Sequence, residues 1–354
     1  MSRAADPTAG AEPAPAAGTG PAPDPAAGAG SVILRATEVC KDYQVRVGAL
    51  ARRRLRAVNQ VNLAVREGQT LGIVGESGSG KSTLSRLLAG LLPVTAGSVE
   101  FDGRPIDAGD RRAHRRLTRE VQIIFQDPFA SLNPWMTVGQ AIARPLVVHR
   151  LGDRRERQRR VAELLRAVGL PPSAAEKLPH QFSGGQRQRI AIARALAPQP
   201  RVVIADEVTS ALDVSVQATI LNLLRDLQRD LGLTYVMVTH DLRVAQHMSD
   251  QVAVMYLGRL VEHGPADEVL ARPRHPYTMA LLDSVPGRRR RAAGGVRQPL
   301  AAPVSALNPP SGCAYHPQCP FAVDSCREVA PAPRMVDDGS LVACDLAEQL
   351  PRPA

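Results

Sequence analysis

One stretch of the chain, Gly75-Glu76-Ser77-Gly78-Ser79-Gly80-Lys81-Ser82, carries residues whose types and order suit the holding of a phosphate. Its G-x-x-x-x-G-K-S spacing is the P-loop pattern. It lies in the context that pattern needs, after a short apolar run (Leu71 to Val74) and before a helical stretch (Ser82 to Leu91). Glycines let backbone N–H groups turn inward around a β-phosphate, and a helix N-terminus adds its dipole. Lys81 can reach β- and γ-oxygens, and the Ser82 hydroxyl can ligate Mg2+. Lys41, Lys81 and Lys177 are the only lysines in an arginine-rich chain, so a compact ammonium at this place is telling. The plainer reading is a glycine-rich turn before an ordinary helix.

Two further segments point to the same chemistry. Val202-Val203-Ile204-Ala205-Asp206-Glu207 is an apolar strand that ends in two acids. At the C-terminal edge of a parallel strand, acids lie where ligands bind. Asp206 suits Mg2+ held through water, and Glu207 suits orienting and polarising an attacking water. The plainer reading is a buried strand with solvated acids at its end. Phe182-Ser183-Gly184-Gly185-Gln186 precedes a helix, Arg187 to Ala197, and offers a hydroxyl and glycine N–H groups as a second anion site. One nucleotide seldom needs two such sites on one chain.

That pair of sites resembles the ATP-binding-cassette (ABC) ATPases, whose signature motif the Ser183 segment matches with Phe182 in place of the common Leu. The resemblance implies that Ser183, Gly184, Gly185 and Gln186 face ATP held on a partner subunit, so that two subunits sandwich two nucleotides. The other family motifs follow in order. Gln126, in Ile124-Phe125-Gln126-Asp127-Pro128, resembles the Q-loop, which touches Mg2+ and senses the membrane subunit. Asp213, in Ser210-Ala211-Leu212-Asp213, resembles the D-loop. His240 resembles the switch histidine, and Tyr43 the aromatic residue that stacks on adenine. By the same resemblance Gly75 to Ser82 and Thr83 hold the phosphates. Ser82, Gln126 and Asp206 hold Mg2+, while Glu207, His240, Gln126 and Lys81 serve catalysis. Val208 stands where many members carry Pro, which frees a φ angle behind Glu207.

Several segments resemble the oligopeptide/dipeptide importer branch: Phe129 to Pro134, Ser183 to Arg189, Ala211 to Ala218, Met255 to Arg259 and His275-Pro276-Tyr277-Thr278. Within that branch the chain resembles the second of two ATPases. The resemblance implies a second ATPase subunit (a different chain or a copy of this one), two permeases and, indirectly, an extracytoplasmic solute-binding protein. It places the chain on the cytoplasmic face of the membrane. The tail holds four of the five cysteines, Cys313, Cys319, Cys326 and Cys344, spaced C-x5-C-x6-C-x17-C. This is no C-x2-C zinc pattern, yet four thiolates suit an iron–sulfur cluster or zinc, with His316 as a substitute ligand. Four small buried thiols packing a compact tail is the alternative.

The elements that must position these residues follow from the pattern. Ser31 to Val39 and Val61 to Val65 read as strands, with Arg52 to Arg56 as a basic loop between them. Strand and helix then alternate, with a mostly helical section at about Pro128 to Ala197. The fold expected is α/β, a P-loop NTPase of ABC-cassette type. It has a parallel-sheet core, an antiparallel β subdomain, a helical subdomain and a small Cys-containing C-terminal extension. Residues 1–30 read as an Ala/Pro/Gly-rich disordered tail, 31–265 as the ATPase domain and 266–354 as the extension, entered through a linker near Arg288 to Gly295. No apolar run approaches the roughly 18 residues that cross a bilayer. The net charge of +10 admits a nucleic-acid-handling ABC ATPase, but only 3% of residues are aromatic and no second cassette or coiled coil is present, which argues against nucleic acid. An exporter, or an importer of another solute, is the nearer alternative.

Overall fold

The computed structural model describes residues 30–47, 51–106, 110–127, 131–210, 212–285 and 304–350. The expected tail as far as residue 29, the expected linker, and Pro128, Phe129, Ala130 and Ala211 of the quoted motifs lie outside the described residues.

Strands β1 (Val32–Val47), β2 (Ala51–Arg66), β4 (Ala96–Phe101) and β5 (Arg104–Pro105) form one antiparallel sheet in the order β2-β1-β4-β5. The second sheet joins β3 (Thr70–Val74), β6 (Val121–Ile124), β7 (Val202–Asp206), β8 (Thr234–Thr239), β9 (Gln251–Tyr256), β10 (Arg259–Pro265), β11 (Arg334–Met335) and β12 (Leu341–Val342). Its order is β11-β12-β10-β9-β3-β8-β7-β6. The five strands β6, β7, β8, β3 and β9 run parallel, and β10, β12 and β11 are antiparallel to their neighbours. Strands β3, β7 and β8 are buried along their whole length. Such unbroken apolar runs need cover on both faces, and helices supply it.

The helices are α1 (Lys81–Leu88), α2 (Arg111–Glu120), α3 (Val138–Val148), α4 (Arg154–Ala167), α5 (Gly184–Leu196), α6 (Val214–Leu231), α7 (Leu242–Met248), α8 (Ala266–Ala271), α9 (Pro276–Asp283) and α10 (Ser325–Glu328). Helices α3, α4 and α5 share a core of Val138, Ile142, Leu165 and Ile190. Reciprocal side-chain and backbone hydrogen bonds of Thr137 with Gln140 and Asp153 with Glu156 fix where α3 and α4 begin.

Arg52 to Arg56 is not a loop. These residues belong to β2, which pairs with β1 from Arg46↔Arg52 to Val32↔Arg66. Arg54 and Arg56 both donate to Asp42 on β1, at 2.8 and 3.0 Å, so cross-strand ion pairs replace the apolar alternation by which a strand is usually read.

The C-terminal segment adds to the main sheet. Strand β12 pairs with β10 through Glu262↔Val342 and His263↔Leu341. Arg274, 6% exposed, donates to Asp337 at 2.9 Å and to Asp338 at 3.0 Å. Glu262, 1% exposed, accepts from the backbone N–H groups of Arg274 and His275 at 2.7 and 3.1 Å. Among the described residues no helix is long and apolar enough to cross a membrane.

Candidate nucleotide site

The order β3-β8-β7-β6 puts the carboxyl ends of four adjacent parallel strands on one edge. The loop Gly75–Gly80 leaves β3, His240 follows β8, Glu207 follows β7 and Gln126 lies two residues past β6. In a parallel sheet this edge collects ligands.

The loop's glycines are required by its packing. A Cβ at Gly75 would lie 2.2 Å from the Met255 carbonyl oxygen, and one at Gly80 the same distance from that of Ala57, at φ +152 and +104. At Gly78, by contrast, nothing stands within 4 Å, so the loop is open on that side. Helix α1 starts at Lys81 with no side-chain cap, which leaves the N–H groups of its first turn for an anion. Ser79 Oγ is buried without a hydrogen-bond partner among the described residues, another polar atom that the loop itself does not satisfy.

Lys81, 4% exposed, donates to the carbonyl oxygens of Gly75 and Glu76 at 2.8 and 2.7 Å. Burial pushes its ammonium below the usual lysine range, against the pull of the Glu207, Asp206 and Glu76 carboxylates. Ser82 Oγ donates to Asp206 at 3.1 Å and Ser85 Oγ to the other oxygen of that carboxylate at 3.3 Å. Burial raises Asp206 above the usual carboxylate range, an effect those two hydroxyls oppose. A hydroxyl beside a desolvated carboxylate is a donor set suited to a hard divalent cation.

Glu207 has a left-handed backbone at φ 49, which turns its side chain off the end of β7. Its carboxylate accepts from Gln126 Nε2 at 2.8 Å and lies 3.3 Å from His240 Nδ1. Val208, in the place of that proline, is 3% exposed; Glu207 N–H donates to the Val238 carbonyl at 2.9 Å, and Ser210 donates to the Glu207 carbonyl from both N–H and Oγ. The turn is therefore held by burial and hydrogen bonds where a proline would have held it by its ring.

The remaining expected residues are held by contacts of their own. Ser183 is exposed and caps α5, its Oγ accepting from Gln186 N–H at 3.3 Å while Gln186 Oε1 accepts from Ser183 N–H at 3.0 Å. Gly184 and Gly185 open that helix, and a Cβ on Gly185 would stand 2.6 Å from Val216. Asp213 caps α6 by accepting from Val216 N–H at 2.9 Å. Tyr43 is half-buried on β1 opposite Leu55, with the Lys41 ammonium 5.5 Å from its ring centroid. Thr83 is half-buried in the first turn of α1.

Ser85 was missed in the sequence, and Ser210 was quoted only as the first residue of the D-loop resemblance. Ser85 lies one helical turn after Ser82, and that spacing is a signal that could have found it. Cys313, Cys319, Cys326, Cys344 and His316 all line one pocket of the tail. Burial raises the Cys319 thiol to about 11, with the other three thiols adding to the shift. Even so, among the described residues no group of three His, Cys, Asp or Glu side chains is placed to hold a metal ion.

A phosphate loop beside two acids, a glutamine and a histidine on one sheet edge defines a P-loop nucleotide-binding protein. Family models match as ABC transporter over residues 58–210 and as the oligopeptide/dipeptide transporter C-terminal region over residues 261–326. A Brucella abortus ATP-binding protein named for peptide import is 53% identical over 294 residues, 82% of this chain and 87% of its own length. The di/tripeptide transport ATP-binding protein DppF of Pseudomonas aeruginosa is 44% identical over 325 residues, 90% and 98% of the two chains. The dimeric ATP-binding cassette MJ0796, in a post-hydrolysis state bound to ADP and Pi, superposes at a TM-score of 0.59 with 32% identity, covering 66% of this chain and 99% of that one. This chain belongs to the ABC transporter family, as an ATP-binding subunit of the oligopeptide/dipeptide type. It is an ATPase, and membership implies dimerisation and membrane permease partners.

Proposed function

We propose that this chain hydrolyses ATP at the cytoplasmic face of the membrane to power import of oligopeptides or dipeptides. The observation that carries the reading is the convergence of Gln126, Glu207 and His240 beside Lys81, Ser82 and Asp206. In this reading Tyr43 stacks on adenine, and Gly75 to Thr83 hold the phosphates with their N–H groups and hydroxyls. Glu207 directs a water in line at the γ-phosphorus and His240 holds the γ-phosphate. The bond to the β–γ bridging oxygen breaks and ADP leaves with its electron pair. Ser82, Asp206 and Gln126 would hold Mg2+, which when bound neutralises phosphate charge. Ser183, Gly184, Gly185 and Gln186 close over the nucleotide of a partner ATPase, with Asp213 at the joint. The partner is read as a second, different ATPase chain, and an extracytoplasmic solute-binding protein as the source of the peptide.

DppF of Pseudomonas aeruginosa and the oligopeptide transport protein AppF of Bacillus subtilis are named for peptides, and this supports the substrate class. In cells that depend on this subunit, uptake of a labelled tripeptide is expected to disappear with Glu207→Gln at unchanged protein level. Uptake that survives the substitution is incompatible with the reading.

We also propose an iron–sulfur cluster or zinc in the tail, on the four thiols that line one pocket, although among the described residues no three of them are spaced to hold a metal. Iron with sulfide, or zinc, is expected in protein purified without oxygen. Metal-free protein from that preparation contradicts the assignment and leaves the thiols as packing groups.

A further inference from the structure

The phosphate loop makes a contact that none of the cassette motifs supplies. Glu76 N–H donates to the Tyr277 hydroxyl at 2.9 Å, across 201 positions of chain. The other edge of the same peptide group, the Gly75 carbonyl oxygen, accepts from the Lys81 ammonium. Peptide 75–76 is thus held from both sides. Gly75, at φ +152, puts little restraint of its own on that peptide.

Tyr277 is rigidly seated. It is 2% exposed, and its ring centroid lies 4.5 Å from that of Tyr256 and 5.4 Å from that of Tyr315. Its N–H donates to His275 Nδ1, and the backbone of His275 is in turn fixed by Glu262. Tyr315 belongs to the cysteine-bearing segment, whose Cys313 and Cys319 pack against the same apolar cluster. Tyr277 and Tyr315 both fall within the stretch that matches the oligopeptide/dipeptide transporter C-terminal region.

We propose that Tyr277 is a positioning residue of the phosphate loop, supplied by the C-terminal extension, and that its hydroxyl sets the loop's affinity for nucleotide. The proposal rests on the reading of Gly75 to Ser82 as the ATP phosphate site. To reach a phosphate, Lys81 must turn away from the Gly75 oxygen. Tyr277 then remains as the clamp that keeps peptide 75–76 from rotating. Without it, binding must also freeze a peptide next to a glycine, which costs conformational entropy.

The test uses the full-length chain in its assembled transporter. Tyr277→Phe removes one oxygen and keeps the ring packing. The KM for ATP is expected to rise about three- to ten-fold with kcat within about two-fold of wild type, the size of one net hydrogen bond. Hydrogen exchange at the Glu76 amide is expected to accelerate. An unchanged KM overturns the proposal, even if the variant melts at a lower temperature, and so does a fall in kcat alone. Lys81→Ala separates the two claims. Loss of Mg·ATP binding in that variant with an unchanged KM in Tyr277→Phe sinks only the role of Tyr277. Retained Mg·ATP binding in Lys81→Ala sinks the site itself.

Discussion

Glu262 carries no expected function, yet its carboxylate ties β10 to the start of α9. Burial raises it from 4.5 to about 7, against the two backbone donors that favour its charged form. The Asp338 carboxylate adds to the rise, and His275, lowered by burial to about 3, stays neutral through the window. A carboxyl raised on folding binds a proton that the unfolded chain has released. Its contribution is therefore full below about pH 4.5 and is lost as pH rises through about 7, a change of about 3 kcal/mol. Stability of the wild-type chain to denaturant is expected to fall between about pH 4.5 and 7 and to level off above that, with Glu262→Gln removing most of that slope. Parallel slopes in the two proteins would show that another group titrates. At this scale the residues gathered at the sheet edge were legible in the sequence, because Lys81, Asp206, Glu207 and His240 each end or follow a local strand pattern. Tyr277 was quoted only within a resemblance. Its hydroxyl meets Glu76 across 201 positions, a contact that no local pattern encodes.

The buried strands β3, β7 and β8 announce themselves as apolar runs, and helices α3 and α4 by their capping residues. Strand β2 hides its first half because Arg54 and Arg56 answer Asp42 on the neighbouring strand. An ion pair of that kind contributes through a partner distant in sequence, so a window of consecutive residues reads it as a loop. Strands β11 and β12 have two residues each, too few for any periodicity. Their place is set by β10 and by the bonds of Arg274 to Asp337 and Asp338. The extension was expected as a small Cys-containing addition to the cassette. It continues the core sheet through β12, and its Tyr277 reaches the phosphate loop from α9.

Across the whole molecule, one edge of the main sheet gathers the loop, Gln126, Glu207 and His240, while Ser183 and Gly185 stand at the head of α5 and bond within their own helix. That separation supports a site completed by another subunit. It also explains what sequence alone could reach: each half of the site is local, whereas their meeting depends on a second chain. In the proposed reaction Glu207 turns bound ATP into ADP and phosphate. ATP turnover by the purified transporter, measured for wild type and Glu207→Gln alongside Mg·ATP binding, tests it most directly. Turnover is expected to fall by about 10²- to 10⁴-fold in the variant with binding retained. Turnover at the wild-type rate in Glu207→Gln would contradict it.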